Sequence, residues 1–173
     1  MEKFDMSDLC LLCFYLGVEV RRDANGITLR QKHYAKRILE LGGMAGYNPT
    51  FTPMEELRLS RHSTVAEVDS THYRQLVDSL RYLVHNQPDL AFAIGFVSRF
   101  MERPTVELLQ AVKRVLRYVS GTLDYGHYKR APSTTRFVGY CNSDLARDID
   151  TSRSTSGTMF FLGDCLVSWP SIK

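Results

Sequence analysis

The hydrophobic period of this chain changes at Gly121, and that change limits the folds open to it. In VELLQAVKRVLRYVSG, Leu108, Leu109, Val112, Val115, Leu116 and Val119 fall on one stripe of a helix, and Gly121 closes it. Beyond it the period drops to two, through 125–129, 136–141, 158–162 and 166–169, as expected for short strands. Gly163-Asp164 stands where a hairpin turn joins the last two. Helices followed by strands in separate blocks predict an α+β fold.

The first part of the chain carries its own turn signals. Residues 11–30, LLCFYLGVEVRRDANGITLR, read as a hairpin: Val18 and Val20 alternate with Glu19 and Arg21, Asn25-Gly26 turns, and Ile27-Thr28-Leu29 begins the return arm. Tyr34, Ile38 and Leu41 then line a helix over 31–41, stopped by Gly42-Gly43. Residues 43–69, with Pro49 and Pro53, read as a long surface loop, serving as a linker or as a wrap between two parts. Three helices follow: 71–85, then PDLAFAIGFVSRFM opened by Pro88, then the Gly121 helix with Thr105 as its N-cap. The domain reading is 1–45, a hairpin and first helix; 46–69, a loop or linker; 70–121, helical; and 122–173, strands. No helix after 121 covers the last strands, so we expect one open sheet face and a C-terminal part cut short.

Composition narrows the class. The 173 residues, 44% hydrophobic and 24% charged, hold no low-complexity tract, which indicates a globular chain of one domain or two small ones. A net charge of +3 permits a nucleic-acid partner without demanding one. Of the four cysteines, Cys10 and Cys13 form a C-x-x-C with no second pair, and their apolar run LCLLCFYLGV predicts buried thiols rather than a metal or redox site. That run is too short to span a bilayer, and MEKFDMSD before it, with three acids and one lysine, has the wrong sign for a signal peptide. We therefore expect a soluble, intracellular chain of cytoplasm or nucleus, with no membrane partner. Arg114 to Arg117 spell R-x-L-R, a pattern some pathogen effectors carry behind a signal peptide, but here it lies inside a helical pattern. The five histidines show no i, i+4 pair and are read as neither ligand nor base.

Several stretches together resemble one family: FYLGVEV, GITLRQKHYAKRILE, TPMEE, YRQLVDSLRYLVHNQPDLAFAIGFVSRFMERPT, AVKRVLRYVSGTLDYG, GYCNSDLARDIDTSRSTSG and FFLGDCLVSWPSIK. In order and spacing they resemble the Pol polyprotein of copia-type LTR retrotransposons, especially plant ones, over essentially the whole chain. The resemblance implies primer-grip strands, with FYLG (14–17) as the grip, then thumb and connection helices, then the leading strands of a truncated RNase H-like mixed sheet. It also implies an ancestral RNA-directed DNA polymerase with RNase H activity, using Mg²⁺.

Two departures bear on that activity. The family's Tyr-x-Asp-Asp pair does not occur here. Asn142 occupies the position of the family's first RNase H carboxylate, and an amide brings no charge to offset two divalent ions. The family's later carboxylates belong to a helix beyond SWPSIK. We therefore expect no catalytic residues, no metal site and no cofactor in this chain. Asp78 stands where the family usually has Gly, Gln87 where it has Arg, and Pro170 where Gln or Ser is common.

The remaining candidates each have two readings. Asp144, Asp148 and Asp150 suit either a hard cation or, as favoured here, turns and helix caps. Lys113, Arg114 and Arg117, with Lys129 and Arg130 nearby, form either a solvated helix face or a track for the phosphates of an RNA–DNA hybrid, bound weakly and with strong salt dependence. FYLG is read as a core hairpin for this chain. Three functions follow: a catalytically inactive reverse transcriptase/RNase H fragment, a hybrid-binding module, or an interaction protein using its exposed apolar sheet face.

Overall fold

In the computed structural model, residues 11–24, 26–55, 60, 63–129 and 136–173 are described. The hairpin signal forms β2 (Val18–Asp23) and β3 (Gly26–Arg30), preceded by a short β1 (Phe14–Tyr15). Asp23 Oδ1 accepts the Gly26 N–H at 2.9 Å and closes the turn. Helix α1 (Lys32–Leu41) follows, and Gly43 ends it in the left-handed region at φ +63°, letting Met44 N–H reach Leu39 O at 2.8 Å.

Helix α2 (Ser70–Leu83) begins at Asp69, whose side chain accepts the Thr71 N–H at 2.9 Å, and stops two residues short of the expected 85. The expected second helix is α-helical only at its centre: 3₁₀ turns at Pro88–Leu90 and Ser98–Phe100 flank α3 (Ala91–Val97). Helix α4 (Val106–Gly121) spans the predicted stripe. Thr105 is a cap in position only, without a side-chain capping bond. Instead the Val106 N–H donates to Ala66 O at 3.0 Å and Glu67 bridges Thr105. These helices bury one core, in which Leu76, Leu80, Leu83, Leu90, Val112 and Leu116 have no exposed surface. Tyr73 lies among them, its hydroxyl donating to Val97 O at 2.9 Å, and burial pushes its pKa up.

The segment expected as a loop over 43–69 is a strap in its described part. Residues 48–55 lie along α4, and 66–68 pair with 104–106. Met44 is part of the helical core.

Two sheets complete an α+β architecture. The first has the order β1-β2-β3-β4, antiparallel throughout, with β4 at His127–Lys129 and Leu29 opposite His127. The strand expected among the C-terminal strands thus joins the N-terminal sheet. Gly126 permits this, because a Cβ there would lie 2.6 Å from Leu29 O. The second sheet holds β5 (Phe137–Ser143), β6 (Ser156–Leu162) and β7 (Cys165–Ser168), with β8 (Ser171–Ile172) also on β6. Its described pairings are all antiparallel, not mixed, because consecutive strands fold back on one another through short connections such as Gly163-Asp164. Trp169 docks it on the helices by donating Nε1–H to Val84 O at 2.8 Å. Among the described residues, no helix is long and apolar enough to cross a membrane.

Candidate functional site

Antiparallel register puts Asn142 on the same sheet face as Tyr140 and Met159. That face and Pro88, Ala91 and Phe92 enclose an open cleft of about 440 Å³. Asn142 is exposed at its wall. Two residues on, Asp144 Oδ1 accepts the Thr155 N–H at 2.7 Å, and the Asp144 N–H returns to Thr155 O at 3.1 Å. This carboxylate closes the loop between β5 and β6.

Asp148 lies deeper, with its side chain 11% exposed. It accepts the Thr151 N–H and hydroxyl, both at 2.8 Å, and pairs with Lys173 and, at 3.7 Å, with Arg99. Burial pushes its pKa up, but the Lys173 ammonium and the Thr151 donors outweigh that and hold it well below the usual carboxylate range. Asp150 accepts the Ser60 hydroxyl at 2.5 Å. The three carboxylates therefore serve turns and ties, and among the described residues no group of three His, Cys, Asp or Glu could share a metal ion.

The basic face of α4 is largely committed to the strap. Arg114 pairs with Glu55 and donates Nη2–H to Thr52 Oγ1 at 3.0 Å, while Arg117 Nε–H donates to Asn48 O at 2.8 Å. Lys113 alone of the three is exposed. The Lys129 side chain and Arg130 lie outside the described residues. Sequence reasoning missed the exposed cations of the first sheet and α1, Arg21, Arg22, Lys36 and Arg37, whose signal was the adjacent pairs RR and KR. Beside them His33 donates to Glu19 at 2.6 Å. Burial pushes the Glu19 pKa up, but this contact prevails and lowers it.

Two expectations are corrected by exposure. Cys13 is an exposed free thiol, not a buried one, and Cys10 lies outside the described residues. FYLG is not a core hairpin among the described residues: Phe14, Tyr15 and Leu16 are 58%, 60% and 69% exposed, and β1 is the edge strand of its sheet. Its main tie is Leu16 O, which accepts the Tyr82 hydroxyl at 2.5 Å.

Comparison with known proteins gives these stretches a common origin. Residues 1–56 match the reverse transcriptase (RNA-dependent DNA polymerase) family. Over 173 residues, 99% of its length, the chain is 37% identical to the retrovirus-related Pol polyprotein from transposon RE1 of Arabidopsis thaliana. Over 166 residues it is 36% identical to an uncharacterized mitochondrial protein of the same plant, covering 96% of this chain and 69% of that one. The chain belongs to the copia-type retrotransposon Pol family.

It spans 12% of the length of the RE1 polyprotein. A secreted RxLR effector protein of Plasmopara viticola is 43% identical over 102 residues, covering 58% of this chain and 72% of that one. In this copia-type Pol segment the Arg114–Arg117 stretch lies within α4, with Leu116 buried and both arginines held by the strap. No solved structure matches significantly. The three smaller departures are absorbed locally. Asp78 is exposed and 3.8 Å from Arg81, Gln87 donates Nε2–H to Thr122 O at 3.3 Å, and Pro170 O accepts the Thr158 N–H at 3.0 Å.

Proposed function

We propose that this reverse transcriptase-like Pol segment is a scaffold of thumb, connection and leading RNase H-like strands that performs no hydrolysis of its own. The observation that carries the reading is Asn142 on β5, at the position the family resemblance gives to the metal-bridging carboxylate. A neutral amide cannot offset the charge of two adjacent divalent ions. Asp144, two residues on, brings one carboxylate, too little charge by itself to offset two divalent ions. The test is incubation of the purified chain with a labelled RNA–DNA hybrid and Mg²⁺ or Mn²⁺. No cleavage above the metal-only control is expected; metal-dependent cleavage lost in Asp144→Asn would overturn the reading.

A second reading rests on the exposed cations Arg21, Arg22, Lys36, Arg37 and Lys113. Such a set suits weak, sequence-independent attachment to the phosphates of an RNA–DNA hybrid. Three to five phosphate contacts correspond to a slope of roughly −3 to −5 in log affinity against log salt. Fluorescence anisotropy at several salt concentrations measures that slope, and a flat line removes the reading.

A further inference from the structure

Arg114 is a fixed cation with an exchangeable anion. Its side chain is 25% exposed and that of Glu55 is 62% exposed. The carboxylate meets Nη1, Thr52 Oγ1 accepts Nη2–H at 3.0 Å, and Nε–H is buried with no hydrogen-bond partner among the described residues. The fold therefore positions the guanidinium but leaves it only partly satisfied, which is unfavourable at the orphaned donor. The Glu55 pairing itself contributes little, since water and salt screen so exposed a carboxylate. The walls around the pair do not depend on it. Met54 packs on the helical core, Arg117 Nε–H holds Asn48 O at 2.8 Å, and Pro49 lies against Gly121, where an added Cβ would come within 2.9 Å of Pro49 Cβ. The Glu55 side chain can leave Arg114 while the strap stays.

Tyr47, Glu55, Glu107, Lys113, Arg114 and Arg117 share a groove of about 540 Å³ between α4 and the chain that follows α1. Its cations outnumber its acids, and a Glu55 that swings out makes it more positive. We propose that this groove is a phosphate site for a nucleic-acid strand, in which the Glu55 carboxylate stands in for the phosphate. Both groups are anions with more than one acceptor oxygen, and a guanidinium takes either. The swap replaces one anion by another on the same cation, so it leaves no uncompensated charge behind. Lys113, Arg114 and Arg117 extend over about one turn of α4, which suits a run of phosphates rather than a single ion. The proposal rests on the reading of this segment as one that attaches to RNA–DNA hybrid. It adds what limits that attachment: the chain's own carboxylate competes for the cation.

Fluorescence anisotropy of the whole chain on a labelled RNA–DNA hybrid, over a salt series, tests this with three variants. Glu55→Gln should tighten binding about threefold to tenfold and steepen the slope of log affinity against log salt by about one, the share of one further phosphate. Asp78→Asn removes the same charge from an exposed pair on α2 and should tighten binding far less. The double variant Glu55→Gln/Arg114→Gln should lose the gain. Inorganic phosphate at matched ionic strength should not displace the hybrid from Glu55→Gln; full displacement would make the groove a site for the free ion and overturn the strand. A Glu55→Gln chain that binds no more tightly than the wild type overturns the proposal and leaves the hybrid reading standing. A flat wild-type salt line beside a gain in Glu55→Gln removes the reading of the exposed cations and supports the groove. No binding by either chain overturns both. A gain matched by Asp78→Asn, or kept in the double variant, also overturns the proposal.

Discussion

The helical layer and the C-terminal sheet are held by different means. Helices α2 and α4 press Leu76, Val77, Leu80, Leu83, Val112, Val115, Leu116 and Val119 into one core from which water is fully excluded. The second sheet has strand pairing but little core of its own: β5 is exposed along most of its length, and among the described residues Cys165 is its one buried apolar side chain. What docks the sheet on the helices is polar. Trp169 donates to Val84 O, Arg99 donates to Thr155 Oγ1 at 2.9 Å and pairs with Asp148, and Lys173 pairs with the same carboxylate. Ladder hydrogen bonds define a sheet's shape, but only buried apolar area or a satisfied polar tie defines where it sits.

The largest effect expected from this contrast is in the core. Leu80→Ala should cost about 2–5 kcal/mol by urea unfolding, since a fully buried leucine leaves a cavity among fixed neighbours. Met159→Ala, half exposed on the sheet, should cost under about 1 kcal/mol in the same assay. Equal losses would show that the two regions form one cooperative core.

Asp148→Asn should come next, at about 1–3 kcal/mol, because Lys173 and Arg99 lose their shared anion. Hydrogen exchange should quicken across β5 to β8 while α2 and α4 keep their protection. The pH dependence has a definite sign. Asp148 has a folded-state pKa below its unfolded value of about 4, so its contribution is complete above about pH 4 and fades as pH falls toward the folded value. Acid should therefore loosen the sheet before the helices, and Asp148→Asn should abolish that early phase in a circular dichroism titration read at the aromatic bands.

Trp169→Phe should cost about 1 kcal/mol, the worth of one partly buried hydrogen bond, and should raise exchange in β7 and β8 first. Smallest is Arg114→Gln, at about 0.5–1 kcal/mol. It removes the Glu55 pair and loosens the strap, so limited proteolysis within 48–55 should accelerate while the urea midpoint scarcely moves.

Much of the local structure was legible. The α4 stripe, the β2–β3 hairpin, the α1 stop and the β6–β7 turn all formed where period and glycines placed them. The 3₁₀ ends around α3 were not legible, because Pro88 and the crowded apolar run are equally compatible with a longer helix. Among candidate site residues, the spacing of Lys113, Arg114 and Arg117 identified one helix face. It carried no sign that Thr52, Glu55 and Asn48, some sixty residues earlier, would occupy two of the three.

The sequence by itself determined most of the helix and strand segments, the Pol family to which the chain belongs, and the amide at position 142. Those follow from short-range periodicity, turn chemistry and residue identity, which a linear text carries in full. Only the tertiary structure decided that β4 leaves its neighbours in sequence for the first sheet, that the proline-bearing segment clamps α4, and that three aspartates spaced like ligands turn to separate partners. Each of these depends on contacts between residues far apart in the chain, where the local sequence is the same whichever partner wins.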